Sequence, residues 1–412
     1  MKTIIFILLL AVCILPAYSQ NITNTLGTGG VFTIKDASNS YLTLSQSDGL
    51  LSLNKNLNLL TTTSSSLGVI TKGGNRFIHD FAPAGSQGCN TFIGINSGNF
   101  TMSGTGYYSS YNTGIGNYSL QNLTTGYHNT AMGYGSLNSN TTGFWNTAVG
   151  KSSLQNNLTG SSNTAVGEQS LYHNTTSNLN AAVGFGSLYS NTTGGSNTAM
   201  GASSLYSDST GANNTAVGEG SLQANTTGHD NTAVGYWAGY NMTTGYNNTL
   251  IGSNAQSSAA NINNEITLGN GSVTSLRCAV TTITSLSDAR DKKNINDLNL
   301  GIDFLMKLKP RLFNWDKREW YKDNKSDGSK MQKTLTAGFI AQELDEVQTK
   351  ENAEWLNLVL RNNPDKLEAT PGNLLPVMVK AIQELKDKLD KYEQMQVVLI
   401  NEIDKLKSSK EK

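Results

Sequence analysis

Through residues 112–256 the apolar side chains return in small islands rather than at helical spacing. An Ala-Val pair and then a Ser-Leu pair stand between runs of Gly, Asn and Thr. "NTAMGYGSL" at Asn129 comes back as "NTAVGKSSL" at Asn146, "NTAVGEQSL" at Asn163, "NAAVGFGSL" at Asn180, "NTAMGASSL" at Asn197 and "NTAVGEGSL" at Asn214. Weaker copies begin at Asn112, Asn231 and Asn248, and every step is 17 residues. A disordered linker has no reason to keep Val and Leu in register over nine copies. The copies are too short and too rich in Gly, Asn and Thr for helical hairpins, whereas apolar islands bounded by turn residues suit short strands. One copy therefore reads as one coil of a β-solenoid. Gly133, Gly150, Gly167, Gly184, Gly201 and Gly218 share one position, as expected where the chain turns with positive φ or passes close to another backbone. Stacked coils would align Asn129, Asn146 and Asn163 into a ladder whose amides bond from coil to coil. About three apolar side chains per coil, such as Ala148, Val149 and Leu154, make a thin core, which burial of one face against identical copies would thicken.

Upstream, "VFTIKDAS", "YLTLSQSDG" and "LLSLNKN" alternate apolar and polar residues and predict a β-rich segment over 20–85. Beyond Ser287 the period changes. "LGIDFLMKLKPRLFNW" carries helical spacing that stops near Pro310, and "LTAGFIAQELDEV" reads as a strand or turn entering an amphipathic helix. After Pro371 and Gly372 a long helix is predicted. Ile382, Leu385, Leu389, Tyr392, Gln396, Leu399, Ile403 and Leu406 fall at alternating steps of three and four, with Leu375 and Met378 continuing the series upstream. That is a coiled-coil seam with one polar member, Gln396, which costs stability and helps set register and chain number.

Charge separates the same two materials. Although the chain of 412 residues is neutral overall, 23 of its 30 Lys and Arg and 22 of its 30 Asp and Glu lie from Ser287 onward. Zero net charge offers no bulk attraction to nucleic acid or anionic lipid. Residues 1–19 read as a secretory signal, with Lys2, an apolar run from Ile4 to Leu15 and Ala17-Tyr18-Ser19 in the small-x-small pattern. The run is too short for a membrane span, so no span is expected after its removal, and the mature chain is expected to be secreted or on a cell surface. Cys13 suggests lipidation, but Val12 precedes it where a small residue is wanted. Cys89 and Cys278 are too few for a disulfide framework and read as small buried hydrophobes, with a bridge between neighbouring chains as the alternative. Asn-x-Ser/Thr sequons such as that at Asn140 fall out of the repeat and carry little weight as glycosylation sites. The repeats hold no clustered carboxylates, metal ligands or phosphate loop, so no cofactor and no metal is expected.

The histidines end at His229 and the cysteines at Cys278, so no Ser-His-Asp triad or Cys-His pair can be built within the C-terminal region. Nucleophilic chemistry there would need a serine activated by a lysine or carboxylate. Ser287 and Lys292 in "SDARDKKNI" are the obvious pair, and Lys292 as a base would need desolvation or neighbouring positive charge, from Arg290 or Lys293. Five residues apart, they lie on different sides of a helix and on opposite faces of a strand, so only a bent, tertiary-constrained segment would join them. The alternative reading of the residues is a helix N-cap at Ser287 or Asp288 ahead of solvated charges.

Two resemblances bear on these readings. The 17-residue motif resembles the "NSVAIG"-type coils of trimeric adhesin heads of the YadA kind, left-handed β-rolls packed as three chains, over roughly residues 86–256. "SDARDKKNI", "LMKLKPRLFNW", "AGFIAQEL" and "LLPVMVKAIQEL" stand in the order and approximate spacing of the peptidase S74 family, over residues 285–390. These are the intramolecular chaperone domains of endosialidases and other phage tail fibres and spikes. The resemblance implies a domain that trimerises, guides folding of the fibre before it, and cuts itself off between Leu286 and Ser287 with a Ser287–Lys292 dyad. Asp291, where a hydrophobic residue is usual, departs from the pattern. The expected fold is multidomain: a trimeric, left-handed β-roll-like solenoid fibre followed by a mainly α chaperone domain ending in a coiled coil. The expected boundaries are 1–19 signal, 20–85 β-rich segment, 86–256 repeats, 257–286 β neck, 287–372 chaperone and single-turnover autoprotease, and 373–412 coiled coil. The expected partners are two further copies of the chain and a cell-surface or glycan ligand. A non-cleaving adhesin that keeps its C-terminal domain as a trimerisation clamp is the alternative.

Overall fold

A computed structural model of the chain describes residues 31–35, 40–45, 51–53, 60–65, 67–273, 275–277 and 287–410. The signal-like residues 1–19, Cys13, Cys278 and Leu286 lie outside the described residues.

Strands Val31–Lys35, Ser40–Ser45 and Leu51–Leu53 form an antiparallel sheet, as the alternating pattern predicts. From Thr91 onward each coil contributes one three-residue strand to a single parallel sheet, and coil pairs with coil in unshifted register: Ala148 opposite Ala165, Ala165 opposite Ala182, Ala182 opposite Ala199. This β-solenoid outlasts the legible repeat. It begins with Thr91–Ile93 and ends with Ile266–Leu268, so the sheet continues into the residues read as a neck. An antiparallel pair, Ile70–Lys72 and Asn75–His79, closes its upstream edge.

The coil beginning at Asn146 shows how the sequence builds this shape. Asn146, Ala148, Ser153, Leu154 and Asn157 point inward and are buried. Val149, expected in the core, is half-buried on the outer face, because the middle residue of a three-residue strand and its neighbours point to opposite sides. The Ser-Leu islands, expected as strands, are turns. Ser153 donates both its N–H and its hydroxyl to Gly150 O, and Leu154 takes a left-handed φ of 49° that swings its side chain into the interior. A left-handed leucine is strained, and full burial of its side chain, worth roughly 1.5–3 kcal/mol, offsets that cost. Glycine is required at position 150, where φ is 133° and a Cβ would stand 2.5 Å from Gly167 O on the next coil.

Two amide ladders run through the interior. The expected one is present: Asn146 Nδ2 donates to Asn129 Oδ1 at 3.1 Å and Asn163 Nδ2 to Asn146 Oδ1 at 3.2 Å, while each Nδ2 also reaches a backbone carbonyl in the following turn. The second, through Asn140, Asn157, Asn174 and Asn191, uses the sequon asparagines. These side chains are fully buried, so the folded shaft presents none of the four for glycosylation. Cys89 is exposed rather than buried, at a left-handed φ of 58° in the irregular segment just before the first solenoid strand.

The C-terminal region is small and largely helical. Helix α1, Ile302–Leu305, is a single turn that stops before Pro310, and the "RLFN" that follows is a strand, Arg311–Asn314, paired antiparallel with Leu335–Gly338. Helix α2 spans Ala341–Lys350 and helix α3 Leu375–Lys410. A core of Phe304, Leu308, Leu344, Leu358, Val359, Leu374 and Val377 joins them. Glu384 on α3 accepts from Ile302 N at 2.8 Å and so caps the start of α1. Among the described residues, no helix is long and apolar enough to cross a membrane.

Candidate serine–lysine site

The segment that opens the C-terminal region is organised by Asp288. Its carboxylate accepts from Arg290 N at 2.9 Å and caps a single 3-10 turn, Ala289–Asp291. The Arg290 guanidinium turns back onto the same carboxylate, with Nε 3.0 Å from both oxygens. That ion pair, and then the Arg290 backbone N–H, hold the Asp288 carboxyl below the usual carboxylate range.

This turn brings the pair together. Lys292 Nζ donates to Ser287 Oγ at 2.5 Å. The expectation that tertiary constraint is needed to join them is not met: residues 287–297 are all exposed, and one tight turn between the two residues suffices. A 3-10 turn advances about three residues per revolution, so with one extended residue at each end it returns the chain in five. Of the two readings of "SDARDKKNI", the cap is seen at Asp288, and Ser287 and Lys292 lie in contact. Arg290, considered as a neighbouring charge for Lys292, is engaged by Asp288 instead. Asp291 makes no ion pair with Lys292 among the described residues.

The contact supplies a hydroxyl next to an amine, the two groups that serine–lysine acyl transfer needs. What it lacks in one chain is shelter from water, since both side chains are exposed. A lysine becomes a useful base when burial disfavours its charged form. Among the described residues, no group of three or more His, Cys, Asp or Glu could hold a metal ion.

The other notable surface is on α3. Leu374, Val377 and Ala381 face the domain core and are buried, whereas Met378, Ile382, Leu385, Leu389, Tyr392, Leu399, Ile403 and Leu406 are exposed. The heptad seam read from the sequence is thus apolar and uncovered in the single chain.

Together these features define a β-solenoid followed by a small helical C-terminal region, with a serine and a lysine in contact between the two. Residues 287–352 match the family model Peptidase_S74, chaperone of endosialidase, and the match begins at Ser287 itself. The further block "LLPVMVKAIQEL", at the start of α3, lies beyond the matched residues. No curated protein and no solved structure matches the chain.

Proposed function

We propose that the chain is a tail-fibre-like protein in which residues 287–412 act as an intramolecular chaperone, bringing three shafts into register and then cutting themselves free before Ser287. The observation that carries this reading is the Lys292 Nζ to Ser287 Oγ contact at the first residue of the family match. Ser287 Oγ attacks the carbonyl carbon of Leu286 and Lys292 takes the hydroxyl proton. The Leu286–Ser287 C–N bond breaks, the proton passes to the Ser287 α-nitrogen, and the Leu286 acyl group is left as an ester on Oγ. Water hydrolyses that ester, releasing the shaft with a C-terminal Leu286 carboxylate and the domain with an N-terminal Ser287.

Assembly and chemistry are linked in this reading. The uncovered seam of α3 and the outer face of the solenoid sheet are the surfaces for neighbouring copies. On that face Ile115, Met132, Val183, Met200, Val234 and Ile251 are exposed apolar residues, with Val149, Val166 and Val217 half-buried in the same row. Parallel pairing of shafts is slow and non-local, and register errors are costly; a C-terminal coiled coil that aligns three ends first shortens the search. Neighbouring chains would also supply the cover that the exposed lysine lacks. Secretion by the signal-like residues 1–19 belongs to the same reading. So does a glycan ligand for the shaft, for which the exposed aromatic group of Tyr107, Tyr108 and Trp145 is the surface to test.

The second reading, a clamp that stays attached, is favoured by the exposure of the pair. Intact-mass analysis of the assembled protein separates the two. Cleavage predicts two species, one beginning at Ser287, with Ser287→Ala and Lys292→Ala each leaving a full-length chain that still assembles. An uncut wild-type protein, or a fragment from Ser287→Ala, would sink the autoprotease reading.

A further inference from the structure

The second amide ladder contains one irregular rung. Asn157 Nδ2 donates to Asn140 Oδ1 at 2.8 Å, Asn174 to Asn157 at 2.7 Å and Asn191 to Asn174 at 2.9 Å. The next residue in register is Asp208, and after it Asn225 Nδ2 resumes the series by donating to Asp208 Oδ1 at 2.8 Å. Where an asparagine would offer Nδ2 to Asn191 Oδ1, Asp208 offers a second oxygen. The mismatch leaves a trace in the hydrogen bonding: Asn191 Oδ1 and Asp208 Oδ2 are both buried and both lack a partner. Asn225 Oδ1 also lacks one, for a different reason, because the following rung is Met242, which has nothing to donate.

We propose that Asp208 carries a structural proton, its Oδ2–H donating to Asn191 Oδ1 and closing the rung, so that this coil of the shaft is locked when the proton is bound and loosened when it is lost. A proton is the ligand that fits. From rung to rung the paired side-chain atoms stand 2.7–2.9 Å apart, which is hydrogen-bond spacing. A metal ion bridging two oxygens at ~2.3 Å each needs a far wider gap. The groups that face Asp208 are neutral: Asn191 on the preceding coil, Asn225 on the following one and Gly211 across the turn. Among the described residues, no cation is there to hold a carboxylate in its charged form. Burial accordingly pushes the Asp208 carboxyl up to about 7, against the smaller opposing effect of its hydrogen bonds with Asn225 and Gly211.

The direction with pH follows. An unfolded aspartate gives up its proton near pH ~4, whereas folded Asp208 keeps it to about 7. Between these values the folded chain binds more protons, so stability falls as pH rises through the window and is level above it. The limit of the effect is about tenfold in the folded-to-unfolded ratio per pH unit.

The test is chemical unfolding of the full chain and of Asp208→Asn at pH 5 to 9, with hydrogen exchange of the wild type alongside. The side-chain amide of the variant would restore the missing donor at any pH. The wild-type midpoint should fall between pH 5 and 7 and then level off, while Asp208→Asn should lose that fall and exceed the wild type at pH 8. Amides of Leu205–Asn225 should exchange faster at pH 8 than intrinsic rates require, and those of Thr147–Leu154 should not. Parallel midpoints for the two proteins across the range, or exchange in the two regions that tracks intrinsic rates equally, would overturn the proposal.

Discussion

Replacing Asn163 with Ala tests whether the first amide ladder holds the coils together or merely occupies their interior. Asn163 Nδ2 donates to Asn146 Oδ1 and to Ser177 O at 2.8 Å, and its Oδ1 accepts from Asn180 N at 3.0 Å. Asn146 Oδ1 keeps a donor in the variant, because Asn163 N also reaches it at 3.0 Å. Ser177 O keeps only the longer contact from Asn174 Nδ2, at 3.3 Å. The Asn180 N–H loses its side-chain acceptor in a buried site. At ~1–3 kcal/mol for each buried polar group left unsatisfied, one full and one partial loss give about 2–4 kcal/mol. Asn156→Ala, at a half-buried position of the preceding coil, is the control, expected within about 0.5 kcal/mol of wild type. Urea unfolding of the full chain followed by circular dichroism reads the global change. Hydrogen exchange at Thr164–Val166 reads the local one, which matters because a stack of coils can open in part. If Asn163→Ala behaves like Asn156→Ala in both measurements, the ladder is filling rather than fastening.

Gly184→Ala should be worse than an ordinary surface change, by at least about 2 kcal/mol: φ is 130° there and the new Cβ would meet the Gly201 carbonyl carbon and oxygen at 2.6 Å. Loss of soluble protein, or fast exchange confined to coils flanking residue 184, is the expected readout, and wild-type behaviour would show that the backbone can shift. Gln396→Leu, in the exposed seam of α3, should raise the melting temperature of the assembled protein and broaden its choice of chain number, read by sedimentation. A lower melting temperature would mean that Gln396 is not a seam residue.

The solenoid is legible because its period is rigid: identical residues every 17 positions must occupy identical places, so the glycine column and the first asparagine ladder follow from the repeat alone. The inward and outward assignment does not follow so simply. Val149 looks like core by composition, yet the pleat of a three-residue strand turns Ala148 in and Val149 out. The Ser-Leu islands resemble strands because a left-handed leucine is rare, and only its burial in a closed coil makes it tolerable. The second ladder hides behind its sequons, since "NTT" reads as surface until the coil closes around it. Asp208 is visible as the odd residue in that column, but the column has no meaning before the burial is known. At the candidate site the residue pair is legible and its geometry is not. Spacing rules for helices and strands do not describe a 3-10 turn, and the Asp288 cap that makes the turn also engages the arginine expected to act on Lys292. The seam of α3 can be listed from heptads, while its exposure beside the buried Leu374, Val377 and Ala381 needs the packed domain.

The unshifted coil-on-coil register makes the shaft a ruler. From Thr91–Ile93 to Ile266–Leu268 the parallel strands cover ten spacings of ~4.8 Å, about 48 Å in all. Each 17-residue unit buries its side chains against near-copies of themselves. Gaining or losing one unit therefore changes the reach of the fibre by one spacing and leaves most remaining residues with equivalent neighbours. Length in such a molecule is set by counting, and it can drift by whole steps in a gene whose repeats recombine, while the domain at its end is untouched.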